Sequence, residues 1–182
     1  MIREIVMYGD PVLREKGARV LEVTDEIREL VGDMLETMVD AEGIGLAAPQ
    51  VGIPIQLAVA DIGEAMESVT YLRIDGEERD VAEAMPLVFL NPEIEYGVER
   101  DVMEEGCLSI PDVRAEVRRP AALKMKMDTL EGKRVELETD GLLARVIQHE
   151  TDHLFGVLFV DRVSAAKKLG LRRVLRDLAG ES

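Results

Sequence analysis

The segment Gln148-His149-Glu150-Thr151-Asp152-His153 carries the pattern H-E-x-x-H. On an α-helix, residues four apart share one face with their Cβ atoms about 6 Å apart. Two imidazoles so placed can share one metal ion, while the glutamate on the adjoining face reaches a water on that ion. The bland alternative is a helix with two solvated histidines. Both histidines of the chain lie in this motif, both fall on an apolar helix face, and an unpaired buried imidazole is costly. A bound metal would satisfy them.

A catalytic metal usually has a third protein ligand and one open position. Endopeptidases built on this motif take that ligand from a downstream Glu, His or Asp, and here Asp161, Asp177 and Glu181 follow but no histidine does. The other candidate is Cys107, the single cysteine, in Glu104-Glu105-Gly106-Cys107-Leu108-Ser109-Ile110-Pro111. Thiolate is a strong ligand for iron or zinc; an isolated cysteine is otherwise a small buried hydrophobe. A third segment, Gly43-Ile44-Gly45-Leu46-Ala47-Ala48-Pro49-Gln50, reads by itself as a tight turn of small residues. No Lys-Ser or Lys-Thr follows its glycines, which disfavours a phosphate loop.

These residues need elements to hold them. Leu142, Val146, His149 and His153 fall on one face of a helix expected to start near Thr139 or Asp140, with Leu143, Ile147, Glu150 and Leu154 beside them. Another helix is expected over Thr24 to Glu42, where Ile27, Leu30, Val31, Met34, Leu35 and Met38 recur at spacings of three and four. Thr24 suits its N-cap, and Gly43 suits a left-handed end. Ile55 to Ala60, Leu87 to Leu90 and Leu123 to Met127 read as strands. Gly63 to Met85 is acidic and weakly periodic, a long loop or irregular hairpin expected near the cleft rim. A last helix, Ser164 to Leu178, is expected to turn Leu171, Val174, Leu175 and Leu178 inward and Lys167, Lys168, Arg172, Arg173 and Arg176 elsewhere.

The whole chain, at 182 residues and 47% hydrophobic, suits one domain spanning 1–182. Its net charge of −15 argues against a general nucleic-acid surface. No apolar stretch approaches the roughly 20 residues that span a bilayer, no secretory signal opens the sequence, and a lone cysteine makes no intramolecular disulfide. The expectation is a soluble cytoplasmic protein with neither membrane nor free nucleic acid as partner.

Together the three segments resemble the peptide deformylase family, whose pattern runs GxGLAAxQ, EGCLS and QHExDHLxG in that order. Here they read GIGLAAPQ (Gly43 to Gln50), EGCLS (Glu105 to Ser109) and QHETDHLFG (Gln148 to Gly156), unbroken, followed by the GVLFVDR stretch. The resemblance covers roughly Tyr8 to Val163. It implies an α+β fold, with mixed or antiparallel sheets packed around a central metal-binding helix and a C-terminal helix. It implies that Cys107, His149 and His153 hold one divalent ion, Fe2+ in the cell, with Zn2+, Ni2+ or Co2+ able to replace it. Glu150 would be the general acid/base, and Gln50 with the backbone N–H of Leu108 would form the oxyanion hole. Ile44, Gly45 and Gly106 would border the peptide. Leu142 and Val146 would line the methionine pocket, with core packing the equal alternative, and Arg114 would face either the substrate or solvent.

The implied reaction removes the formyl group from the N-terminal formylmethionine of nascent peptides and releases formate. A metal lowers the pKa of its water from about 15.7 toward 7, Glu150 can carry the proton to the departing amine, and each oxyanion donor is worth about 3 kcal/mol. Some members of the family dock a basic C-terminal helix on the ribosome, which the five basic residues between Lys167 and Arg176 would suit; a solvated helix face is the alternative. Two rivals remain: an endopeptidase using the same H-E-x-x-H chemistry, and a structural metal site with a fourth protein ligand.

Overall fold

Strands β1 (Gly45–Ala47) and β2 (Leu57–Ala60) pair antiparallel with Leu46 opposite Val59, and side chains alternate between the two faces of each. Leu46, Leu57 and Val59 pack on helix α1 (Asp25–Asp40), among Leu30, Val31, Met34 and Met38. Ala47, Ala58 and Ala60 point the other way, into a second cluster. The alternation of large and small residues therefore decides how closely each face can be approached.

The computed structural model describes residues 1–181. Its large antiparallel sheet runs β1-β2-β5-β8-β9-β3-β4, completed by β3 (Leu72–Ile74), β4 (Glu77–Glu78), β5 (Leu87–Tyr96), β8 (Ala122–Asp128) and β9 (Arg134–Asp140). Strands β6 (Arg100–Cys107) and β7 (Ile110–Pro120) form a separate antiparallel pair. A single helical turn, α2 (Val81–Ala84), precedes β5, and helices α3 (Gly141–Leu154) and α4 (Ala165–Leu178) follow the last strand. The expected α+β architecture is what forms. Helix α3 lies on the alanine face of the large sheet, where Leu143, Ala144 and Ile147 meet Ala58, Ala60, Phe89 and Met125.

Thr24 caps α1 as expected, its hydroxyl accepting from the Ile27 amide at 3.3 Å. The helix end departs from expectation. Glu42, with φ +56°, takes the left-handed position rather than Gly43. The amides of Glu42 and Gly43 donate to the carbonyls of Val39 and Met38, closing a paired C-terminal motif. Gly43 instead lies close under Leu108: a Cβ there would stand 2.8 Å from Cδ1 of Leu108, and that side chain would have to shift. In α4, Leu171 is buried while Leu175 and Leu178 pack partly against the cluster of Leu13 and Phe159; Val174, expected inward, is exposed. The helix meets the body along one narrow stripe, which the 171, 175, 178 spacing already fills.

The acidic segment 63–85 does not border the cleft described below. It forms the β3–β4 hairpin and α2, and it caps α3 from outside. Asp140, at the cap position, turns its carboxylate to the amide and hydroxyl of Thr70 and makes no cap bond to the first turn. The Ser68 hydroxyl accepts from the Leu142 amide instead, at 2.9 Å. Replacing a capping hydroxyl costs about 1 kcal/mol. Ser68→Ala is therefore expected to lower the melting temperature by about 2–4 °C, measured by thermal unfolding; an unchanged transition would show that α3 does not use this cap.

Candidate metal centre

Three donor atoms from two elements converge. Cys107 ends β6, and His149 and His153 lie one turn apart on α3. One ligand atom from each lies within 4.8 Å of the others, with Cys107 Sγ 3.4 Å from His153 Nε2. A tetrahedral ion with bonds of about 2.0–2.3 Å has ligand edges of about 3.5 Å, so Cys107 and His153 already stand at that spacing, with the His149 donor within 4.8 Å of both. The tautomer of His149 favours it. Nδ1 of His149 meets Oε1 of Glu105 at 2.9 Å, which leaves Nε2 for the centre. One sulfur and two nitrogen donors suit iron, zinc, nickel or cobalt and do not suit magnesium or calcium.

Beneath these ligands sits a buried ionic lattice. Glu105 accepts from Arg119 Nε at 2.6 Å and Nη2 at 3.0 Å, and from Arg145 Nη1 at 2.6 Å. Arg119 also reaches Asp152 at 2.9 Å, and Arg162 grips the same carboxylate at 2.6 and 2.8 Å. Burial alone would push the Glu105 carboxyl up, but hydrogen bonds from His149 and Arg119 outweigh it and hold the group well below the usual carboxylate range. Glu105 therefore stays charged and fixes the His149 ring. In the metal-free chain burial also works against charge on both imidazoles: Cys107 and Glu105 overcome it at His149, whose pKa rises, while burial and the neighbouring His149 take His153 well down.

Glu150 is buried. Oε1 lies 3.8 Å from His149 Nε2, and Oε2 has no hydrogen-bond partner. Burial pushes its pKa from an ordinary 4.5 to about 7, with the charges of His149 and Arg119 working against the rise. A Cβ on Gly45 would stand 3.0 Å from both Cδ of Glu150 and Cγ1 of Val146, so a side chain there would crowd this carboxylate and displace one of the two.

The donors open on a cleft of about 590 Å³. Its wall includes Ile44, Gly45, Gly106, Leu142 and Val146, each expected to border a substrate, together with Gln50, Leu108 and Arg114. His153 lies below this lining, at 1% exposure. The choice between pocket and core for Leu142 and Val146 dissolves, because both line the cleft and both pack on the central cluster. Arg114 pairs with Glu104 at 2.7 Å on the exposed rim.

Sequence reading passed over Glu105, Arg119, Arg145, Asp152 and Ser109. Two signals were present: Glu105 precedes Cys107 by two positions on a strand, and Arg145 precedes His149 by four on a helix, so each shares a face with a ligand. Arg119 carried no local signal, since only the β6–β7 pairing brings it under the site, with Asp101 opposite Arg119.

Comparison with known proteins gives a consistent result. Residues 2–169 match the family model described as polypeptide deformylase. The chain is 47% identical over 168 residues to a peptide deformylase of Rhizobium meliloti, covering 92% of this chain and 88% of that one. It is 42% identical over 178 residues to a peptide deformylase of Methylacidiphilum infernorum, covering 98% and 93%. Among solved structures, it is similar to a Thermotoga maritima peptide deformylase with a TM-score of 0.77 and 39% identity, covering 90% of this chain and 99% of that one. A Synechococcus elongatus peptide deformylase in complex with actinonin gives 0.79 and 41%, covering 99% and 87%.

Proposed function

The chain belongs to the peptide deformylase family, which removes N-formyl groups from nascent peptides, and we propose that it does so through Cys107, His149 and His153 as ligands of one divalent ion and Glu150 as general acid/base. The observation that carries this reading is the convergence of one thiol, two imidazoles and a buried carboxylate at the floor of one cleft.

The ion, when bound, supplies a Lewis acid for the formyl group and acidifies water at neutral pH. Every other step falls to the chain. Glu150 takes a proton from water during its attack on the formyl carbon and delivers it to the methionine nitrogen as the carbon–nitrogen bond breaks. The products are formate and a free amine. Gln50 Nε2 and the Leu108 amide donate to the formyl oxygen as it gains charge, without changing protonation state. Ile44, Gly45 and Gly106 border the peptide backbone, and Leu142 and Val146 receive the methionine side chain.

Ferrous iron is our proposal for the cellular ion, with zinc, nickel or cobalt as substitutes, and the cytoplasm for the location; among the described residues no helix is long and apolar enough to cross a membrane. Ribosome contact through α4 is the finer proposal on partners, supported by the exposure of Lys167, Lys168, Arg172, Arg173 and Arg176. Replacing the three arginines by serine, which spares the buried Leu171, is expected to abolish co-sedimentation with ribosomes; unchanged co-sedimentation would reject it.

The substrate is tested by offering the metal-loaded protein formyl-Met-Ala-Ser, acetyl-Met-Ala-Ser and casein. Release of formate from the first, with no cleavage of the other two, is the expected result. Cleavage of internal bonds in casein without release of formate would replace the proposal with an endopeptidase.

A further inference from the structure

We propose that Ser109 is a positioning residue that sets the carboxamide of Gln50 for the formyl oxygen. The proposal rests on the reading of Gln50 as an oxyanion donor and adds how that donor is held. Gln50 is 1% exposed and Ser109 is fully buried. The Gln50 Oε1 accepts from the Ala47 amide at 3.0 Å, and Nε2 donates to the Ser109 hydroxyl oxygen at 3.1 Å. Rotating the amide by half a turn would set an NH2 group against the Ala47 N–H, two donors face to face, so its orientation follows from the network.

An amide NH2 carries two hydrogens. Ser109 takes one, and the other points toward Cys107 Sγ at 3.5 Å, on the cleft side. Thiol or thiolate sulfur is a long and weak acceptor here, whereas an oxygen gaining negative charge is a strong one. The second hydrogen is therefore available to the substrate, aimed by the first. Without Ser109 the Nε2 end is free to swing, and the hydrogen that faces the cleft loses its fixed direction.

The backbone supports the same assignment. Ser109 and Leu108 form the turn between Cys107 and Ile110 that joins β6 to β7, so one turn carries both the Leu108 amide and the group that aims Gln50. The N-terminal segment ties the two motifs together: the Val6 amide donates to the Gln50 carbonyl and the Tyr8 amide to the Ser109 carbonyl, each at 2.8 Å.

The test is a double-mutant cycle on zinc-loaded protein, with kcat, KM, bound metal and melting temperature measured for Ser109→Ala, Gln50→Ala and the pair. Deleting an oxyanion donor outright lowers kcat by about 10²–10³, and misaiming one should cost less. The expected results are a fall of about tenfold in kcat for Ser109→Ala with KM and metal stoichiometry unchanged, and no further fall when Ser109→Ala is added to Gln50→Ala. A second readout needs no metal and no turnover. In the metal-free, 15N-labelled protein, the Gln50 side-chain signals, identified by their loss in Gln50→Ala, should exchange with solvent much faster in Ser109→Ala. Equal losses of kcat in both backgrounds, or unchanged exchange, would overturn the proposal. A fully active Gln50→Ala would instead remove the oxyanion reading itself, and the exchange measurement would still report whether Ser109 holds the amide.

Discussion

Glu150→Gln is expected to lower formate release by about 10²–10⁴, the range for losing a positioned general acid/base, while metal stoichiometry stays at one. The carboxamide keeps the size of the carboxylate but cannot take up and return a proton. The same substitution should stabilise the metal-free protein, and the sign follows from the pKa. Burial raises folded Glu150 from 4.5 to about 7, so the folded state binds this proton more tightly than the unfolded one. Stability from the group is fully present below about pH 4.5 and is lost as pH rises through 7. The loss amounts to about 3 kcal/mol at 1.4 kcal/mol per pKa unit, and a carboxamide, which does not titrate, cannot incur it. The metal-free variant should therefore melt about 5–10 °C above the parent at pH 8 and level with it near pH 4.5. Calorimetry of the two metal-free proteins across this window checks the claim, and a gap independent of pH would contradict it. Activity and stability are then expected to pull in opposite directions at this buried carboxylate, one of whose oxygens has no hydrogen-bond partner.

The second large effect lies one layer beneath the ligands. Glu105→Gln should weaken metal binding by about 10–100-fold, the usual consequence of disturbing the partner of a metal-bound imidazole, because Glu105 holds Nδ1 of His149. It should also lower stability, since Arg119 and Arg145 lose the buried counter-charge they share and keep only Asp152 and Asp101 respectively. The two consequences separate in the double variant Glu105→Gln with Arg119→Met. Removing a buried cation that has lost one of its two carboxylates should recover part of the stability, while metal affinity stays low. Chelator competition and thermal unfolding on the same samples measure both. Recovery of affinity along with stability would mean that Glu105 acts only as a counter-charge and does not orient His149.

The site was more legible in the sequence than its support. His149, Glu150 and His153 announce themselves because helical spacing alone places them together, and Cys107 follows from its neighbours in EGCLS. The cleft wall of Ile44, Gly45, Gly106, Leu142 and Val146 also came from motif position, and the cleft contains all five. What stayed hidden depends on pairing between distant segments. Arg119 reaches Glu105 and Asp152 only because β7 folds back on β6 beneath α3. Ser68 caps α3 across more than seventy positions of sequence, so an acidic, weakly periodic segment gave no sign of it. Gly43 illustrates the opposite error. Its type suggested a left-handed helix end, but Glu42 takes that position and Gly43 lies against the Leu108 side chain, a contact no local pattern contains.

The most direct test of the account is an anaerobic titration of the metal-stripped protein with ferrous iron while formate release from formyl-Met-Ala-Ser is followed. The account predicts no release at zero metal, a linear rise that breaks at one equivalent, and an essentially flat line for Glu150→Gln, which should still bind that equivalent. Formate release by the stripped protein at the full rate, or a Glu150→Gln variant as active as the parent, would contradict it.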